Sequence, residues 1–471
     1  MKQDFIDLYI ATLHKIARYE NAELFLVGGA VRDYIMDREV RDYDFVIFGN
    51  IDKITKRFLD SMDCKCIKYN KKLKTYRIFC KLKNIDVTEP RGKTIEHDLA
   101  LRDLTINSIG YDLNANKIID PQGGIKDIER KIIRANYAHS FLDDPVRILR
   151  AFRLAALFRF DIDPKTIIQA KQYAYMLKKV SKERIVEEIK RFFALRRTFA
   201  YILIMDKVGI IDTVFEDLTM TNGCIQSEHH LFDVKTHSLN VYNFIEWSYN
   251  RLERILGKCH KKYLIHTIEN RANVITAMKL AALFHDAGKP YSKTIDSTGH
   301  VHFANHELKS LDIFNKYAKM YPFGKRVCKL ARFFIVKHVE PAYFYSLWKK
   351  FPQKDDIAVD FFMEYGDYGV DLLFFALADT LAKGKISADN RVYYIEFLKE
   401  MTCYYYNHLK ALIEKKSLID GNDLIEHFNM TGYELKEILK TVKRAEILGN
   451  IHTKQEALDF AVSIYNQPYA H

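Results

Sequence analysis

Near residue 138 the hydrophobic pattern of this chain changes period, and that change divides the fold in two. Before it, the runs LFLVGGA, DYDFVIF, YRIFCKL and NIDVTEP are rich in Val, Ile, Phe and Tyr, are bounded by turn residues, and read as strands. IIDPQGG reads as a further strand ending in a turn, followed by IKDIERKIIRA. After it, DDPVRILRAFRLAALFRF places apolar residues at 148, 149, 152, 155, 156 and 158, the spacing of one helix face. Helical spacing then dominates to residue 471, with loops near 219–229, 290–305 and 415–422. The expected architecture is α+β, a small α/β head on a long helical remainder.

At 471 residues the chain is long enough for two to four domains, and nine prolines and 19 glycines argue against a disordered or fibrous protein. The N-terminal MKQDFIDLYIATLHKIARYE carries Asp4, Asp7, Lys15 and Arg18 within its apolar pattern, which predicts an amphipathic helix, not a signal peptide. No stretch approaches the ~20 uncharged apolar residues of a membrane span, so no membrane partner is expected. Seven cysteines lie scattered at 64, 66, 80, 224, 259, 328 and 403 without a CxxC pair. The expectation is reduced thiols in a cytoplasmic protein, with neither a disulfide framework nor a cysteine zinc site.

Gly28-Gly29 ends the LFLV strand ahead of AVRDYIM, a turn in which backbone N–H groups can approach a phosphate. Taken alone it is also an ordinary turn. Asp42-Tyr43-Asp44 follows on a strand, where period-two alternation puts both carboxylates on one face. A divalent cation is the usual reason to tolerate two such charges together. Asp86, on the strand NIDVTEP, is either a third oxygen ligand or a plain strand-end aspartate. The set suits nucleotidyl transfer with two Mg²⁺ ions, one activating a hydroxyl and one stabilising pyrophosphate.

LVGGAVRDYIMDREVRDYDFVIF resembles the signature of the polymerase-beta-like nucleotidyltransferases, and within them the bacterial (class II) tRNA nucleotidyltransferase and poly(A) polymerase family. LRDLTINSIGYD (101–112), IIDPQGGIKDIERKIIRA (118–135), DDPVRILRAFRLAALFRF (143–160) and SKERIVEEIKRFF (181–193) are similar to further blocks of that family in the same order. A looser match is LIDGNDLIEHFNMTGYELKEIL (418–439). The resemblance implies addition of CCA to the tRNA 3′ end from CTP and ATP without a nucleic-acid template. It implies Asp42, Asp44 and Asp86 as catalytic Mg²⁺ ligands, and nucleotide contacts from Gly28, Gly29, Arg32, Arg102, Asp103, Asn107, Asp143, Asp144, Arg147, Arg150 and Arg153. Asp144 and Arg147, spaced i,i+3 on the expected helix, would share a face and offer an acceptor and donors to a base edge, unless they form a surface ion pair.

Three features depart from the family pattern: Asp143 stands where Glu is usual, Leu101 where Arg is usual, and the connection TEPRGKTIEHDLA is short. Full CCA-adding members carry a longer flexible loop at that connection, and members that add CC alone lack it. CC addition and full CCA addition both stay open. A poly(A) polymerase is the enzyme alternative, ranked lower because such members usually extend in a longer basic C-terminal segment than QPYAH.

His237, His285-Asp286 and Asp379 follow the order H…HD…D, with Gly288-Lys289 just after the HD pair. Histidine and carboxylate ligands on helices suit a divalent metal. The order resembles the HD phosphohydrolase superfamily, which implies a divalent metal of unspecified identity on those four residues. His306 and His338 would hold a second metal or a phosphate, and His229-His230 would approach the site. A metal-dependent phosphohydrolase with an RNA-binding head is the alternative from another class.

The formal charge is +12, from 73 Lys+Arg against 61 Asp+Glu, which is either a compositional bias or the mark of a polyanionic partner. Between Lys165 and Arg197 ten Lys/Arg face three Glu, so more than half the excess lies in one helical segment next to the head. Lys178, Lys179, Lys182, Arg184, Lys190, Arg191, Arg196 and Arg197 are the expected tRNA backbone contacts. The expected division is a catalytic head (1–137), a helical neck (138–205), an HD-type helical domain (206–400) and a tRNA-binding tail (401–471).

Overall fold

The structure, a computed structural model, describes residues 7–70, 73–81, 83–226, 230–428 and 433–465. It divides into two compact units, Met1–Val214 and Phe215–His471.

The first unit is built on a seven-stranded sheet in the order β3-β4-β5-β2-β1-β6-β7. The strands are β1 (Glu23–Val27), β2 (Asp42–Phe48), β3 (Cys64–Asn70), β4 (Thr75–Cys80), β5 (Asn84–Thr88), β6 (Gly110–Asp112) and β7 (Lys117–Ile119). β2 and β5 run parallel, with Asp44 opposite Asp86, and the other pairs are antiparallel. Alternation along β2 sends Tyr43, Phe45 and Ile47 into a core shared with Ile10, Leu13 and Ala17 of α1 (Leu8–Tyr19) and Ile51, Ile54 and Phe58 of α3 (Ile51–Ser61). That leaves Asp42 and Asp44 on the other face, where Val46 and Val27 meet Ile95 and Leu99 of α4 (Ile95–Ala100). α2 (Gly29–Ile35) follows the Gly28 turn, and α5 (Gly124–Arg130) follows β7.

Beyond the sheet come α6 (Ser140–Asp143), α7 (Val146–Phe158), α8 (Pro164–Tyr173) and α9 (Lys182–Phe193). α7 buries Ile148, Leu149, Phe152, Ala155 and Ala156 and packs on α9. One expectation fails here. Asp144 is not in the helix with Arg147; it lies in extended backbone (φ −149°, ψ 96°) between α6 and α7. The cause is Pro145, whose ring disfavours helical backbone in the residue before it and so makes Asp144 a boundary.

In the second unit, helix Val234–Tyr249 packs against Tyr368–Ala382 and Arg271–Phe284, and the last of these packs against Lys325–Lys337. Part of the expected loop at 290–305 is instead a hairpin, Lys293–Ile295 with Val301–Phe303. Helices Gly421–Phe428, Tyr433–Ile447 and Lys454–Tyr465 share a small core of Leu424, Ile438, Val442, Ala457 and Ala461. No helix of the described residues is long and apolar enough to cross a membrane.

The cysteines also depart from expectation: Cys64 is bonded to Cys80 and Cys259 to Cys403, with Cys66, Cys224 and Cys328 outside these disulfides. The β3–β4 register sets Cys64 directly opposite Cys80. Cys259 and Cys403 are 144 residues apart in sequence, and packing of the Leu252–Leu256 turn on helix Ala388–Tyr404 brings them together. Scattered spacing concealed both pairs.

Candidate nucleotide and metal sites

The face of β2 that carries Asp42 and Asp44 meets the Gly28 turn. Gly28 has φ +74°, and a Cβ there would stand 3.0 Å from Arg102 Nη1 and 3.4 Å from Asp44 Oδ2. The positive φ favours glycine, and a Cβ would also press on the Arg102 guanidinium. Asp42 Oδ1 accepts a hydrogen bond from Asn84 Nδ2 at 2.9 Å. Burial pushes the Asp44 carboxyl up to about 6; Arg102 opposes this, and Asp86 and Asp42 add to it. A carboxylate held so reluctantly ionised, beside two others, is suited to a cation. Asp86 is gripped by Arg77 through Nε at 2.8 Å and Nη2 at 2.6 Å. Arg77 lies opposite Asp86 in the β4–β5 register, a neighbour that alternation along YRIFCKL and NIDVTEP could have revealed.

Next to these carboxylates lies an array of arginines. Arg102 pairs with Asp98 at 3.1 Å, and Asp98 also accepts from the Arg91 backbone N–H at 3.0 Å. Asp103 accepts from Leu104 N (2.8 Å), Asn107 Nδ2 (3.1 Å) and Arg150 Nη1 (2.9 Å). Burial alone raises the Asp103 carboxyl, but Arg150, the Asn107 hydrogen bond and Arg147 outweigh it and hold the group at about 2. Arg32 is buried, donates to Asn107 and Asp33, and lies 4.8 Å from the centre of the Phe158 ring. Arg150 and Arg153 both donate through Nε to buried Glu188, at 3.1 and 2.5 Å. Two arginines expected to contact nucleotide therefore meet a protein carboxylate on α9, within the ERIVEE run. Glu188, Asp98 and Arg91 were not among the sequence candidates.

Arg147 reaches Tyr137 Oη and Ser140 Oγ at 3.1 Å each and Leu101 O at 3.3 Å. Asp143 accepts from Tyr137 Oη at 2.6 Å, and Asp144 pairs with Arg184 of α9 at 2.7 Å. Of the other basic candidates, Lys182, Lys190 and Arg191 lie on α9, with Arg191 paired to Glu187. Lys178 and Lys179 end the turn before α9, and Arg196 and Arg197 follow it; Lys179, Arg196 and Arg197 are exposed.

The family profile for the poly(A) polymerase head domain matches residues 24–134, and one described as the probable RNA and SrmB-binding site of polymerase A matches 159–221. Both profiles fall on the head and the neck, the stretches whose motifs resemble the tRNA nucleotidyltransferase and poly(A) polymerase family. Nucleotidyltransferases of this family use divalent metal. The CC-adding tRNA nucleotidyltransferase of Synechocystis sp. is 26% identical over 439 residues, covering 93% of this chain and 92% of that protein. The CC-adding tRNA nucleotidyltransferase of Thermus thermophilus is 23% identical over 449 residues, 94% of each chain. A solved CCA-adding enzyme in complex with ATP superposes with a TM-score of 0.64 at 21% identity, covering 100% of this chain and 96% of that one, a likeness of fold.

The second unit gathers the histidines and aspartates. His237 comes from the first turn of helix Val234–Tyr249, His285 and Asp286 from the end of Arg271–Phe284, and Asp379 from Tyr368–Ala382. His237 Nε2 is 2.9 Å from Asp379 Oδ1 and 3.4 Å from His285 Nε2. Asp286 Oδ2 faces His285 (3.3 Å) and His237 (3.5 Å), and Oδ1 faces His306 (3.2 Å) and His338 (3.8 Å). His285, His306 and His338 each set Nδ1 against a backbone carbonyl, of Ala282, Phe303 and Ile335. Nδ1 is then the donor, which turns Nε2 inward, the nitrogen on which a metal would take the place of a proton.

These residues fit a cation. Burial lowers the affinity of His285 for a proton, yet Asp286 and Asp379 push it up to about 9: the cluster takes up positive charge. Asp286 is buried, and its oxygens make no well-aligned hydrogen bond among the described residues. Lys289 stands 2.7 Å from Asp286 and Lys383 3.6 Å from Asp379. The ring of His230 lies 5.2 Å from that of His237, and His229 lies outside the described residues.

Proposed function

We propose that this chain is a tRNA nucleotidyltransferase that adds nucleotides from CTP and ATP to the 3′ end of tRNA without a template, acting in the cytoplasm. The observation that carries the reading is the grouping of Asp42, Asp44 and Asp86 on one sheet face, against the Gly28 turn and Arg102. Mg²⁺ held by Asp42 and Asp44, with Asp86 beside them, would activate the tRNA hydroxyl and neutralise the leaving pyrophosphate. The protein's own share is positioning. Gly28 lets the triphosphate approach the backbone, Arg102 supplies charge to it, and the Asp103–Arg150–Glu188 network holds the neighbouring wall rigid. Arg147, fixed by Tyr137, Ser140 and Leu101 O, and Asp144, fixed by Arg184, would present donors and an acceptor to the incoming base. The basic residues from Lys178 to Arg197 would grip tRNA phosphates, with the head at 1–137, the neck at 138–205 and the tail at 401–471.

CC addition is the form we favour. The short connection after β5 is folded into α4 and fastened by the Arg91–Asp98–Arg102 contacts, and the Synechocystis and Thermus relatives, matched over 93% and 94% of this chain, are CC-adding, whereas the solved CCA-adding enzyme is a likeness of fold. Incubating tRNA that lacks its terminal CCA with CTP, ATP and Mg²⁺, then sequencing the 3′ end, tests this. Two added cytidines are expected; a terminal A would refute the CC form, and long tails from ATP alone would point to a poly(A) polymerase.

The paired donor sets around Asp286 favour a second activity in the same chain, metal-dependent hydrolysis of a phosphoester. His237, His285, Asp286 and Asp379 would hold one cation, with His306 and His338 on the far oxygen of Asp286, and Lys289 and Lys383 placed to attract phosphate. Hydrolysis of a 2′,3′-cyclic phosphate by the wild type and its loss in H285A/D286A is the check.

A further inference from the structure

The sheet face opposite Asp42 and Asp44 carries a second basic feature. α1 and α3 lie side by side there, with Ile10, Leu13 and Ala17 of one and Ile54 and Phe58 of the other turned into the core. Their outer faces line a cleft of about 1280 Å³. Among its lining residues are Ala11, His14, Lys15 and Arg18 on α1 and Lys53, Lys56, Arg57 and Asp60 on α3. Both sets follow the i, i+3, i+4, i+7 spacing of one helix stripe, so cations confront cations across the cleft.

Part of this charge is already balanced. Glu20, nearly buried, takes Lys53 at 2.6 Å and Arg57 at 2.7 Å. Counting Lys15, Arg18, Lys53, Lys56 and Arg57 against Glu20 and Asp60, the cleft keeps a net +3. Lys15, Arg18 and Lys56 have no acidic partner among the described residues. The Arg57 guanidinium lies 4.8 Å from the centre of the Tyr19 ring, which is 72% exposed. None of these groups contributes to the core, and like charges on adjacent stripes cost stability unless an anion answers them.

We propose that this cleft binds the phosphate backbone of an RNA segment other than the 3′ end at the carboxylate face, with the Tyr19–Arg57 pair as a platform for one base. Choosing RNA as the polyanion rests on the proposed function; the site itself does not. Each stripe runs for ~10 Å, longer than one phosphate and suited to a run of them. The cleft is concave, whereas a membrane-binding helix offers apolar residues on an outward face.

The test uses the full chain and a fluorescein-labelled single-stranded RNA with a blocked 3′ end, its binding followed by anisotropy across a salt series. In K15E/R18E/K56E, Kd is expected to rise at least tenfold, and the slope of log Kd against log salt to fall by roughly two, for three lost contacts. Unchanged Kd and slope would overturn the proposal. So would a loss of binding to phosphatidylserine vesicles or to free CTP with RNA binding intact. Lysine acetylation footprinting on the wild type removes dependence on the variant's folding: RNA should protect Lys15 and Lys56, and equal labelling with and without RNA would also overturn it. Neither readout requires catalysis, so the cleft and the nucleotidyltransferase reading fail separately.

Discussion

Asp103→Asn isolates the ion pair that fastens the head to α7. Asp103 is buried and held at about 2 against an ordinary 3.8, chiefly by Arg150 at 2.9 Å. Each tenfold in proton affinity is worth ~1.4 kcal/mol. Arg150 is 36% exposed, so solvent screens part of the attraction, and about 2 kcal/mol is the expected loss. The sign follows from linkage: a depressed carboxyl stabilises the fold fully above 3.8, and that share disappears as pH falls through 2. The penalty should therefore be equal at pH 7 and pH 5. With two units present, a single unfolding transition is not assured, so the assay is native-state hydrogen exchange of peptides from residues 146–158. An opening free energy lowered by about 2 kcal/mol at both pH values is expected. A change below ~0.5 kcal/mol, or one that halves between pH 7 and pH 5, would refute the assignment.

Gly28→Ala should keep the fold by circular dichroism and slow nucleotide addition on the order of 10²-fold, because the positive φ strains any Cβ there and the new Cβ presses on Arg102; near-wild-type rates would show that the close approach is unimportant. Arg77→Ala frees Asp86 from a partly exposed pair worth up to ~1 kcal/mol. Mn²⁺ binding, read by electron paramagnetic resonance, should tighten by up to about fivefold, and weaker binding would mean that Arg77 positions Asp86 instead of competing for it. H285A/D286A should lose bound metal by elemental analysis and retain nucleotide addition; retained metal would remove the second unit's site.

The head was legible because its chemistry sits on period-two strands. Tyr43, Phe45 and Ile47 announce the buried face, so the face of Asp42 and Asp44 follows from sequence alone. α3 and the strands β3 and β6 were not expected, since CKCIKYN mixes lysine into an edge strand and β6 is three residues long. The i,i+3 reading of Asp144 and Arg147 failed through one residue, Pro145, which displaces Asp144 from the helix and into reach of Arg184. Long-range partners were the least visible. Glu188 meets Arg150 and Arg153 across 35 to 38 residues, and Cys259 meets Cys403 across 144, distances at which no local pattern acts. The clustered histidines and aspartates of the second unit are equally distant, but the order H…HD…D carried the information that spacing did not.

The most direct test of the account compares wild type with D42A/D44A on tRNA lacking its terminal CCA, with radiolabelled CTP and Mg²⁺ and the product resolved at single-nucleotide length. The wild type should extend the tRNA by two cytidines and the variant by none, with the variant's tRNA affinity and hydrogen-exchange protection unchanged. Continued extension by D42A/D44A would contradict the assignment of chemistry to that sheet face.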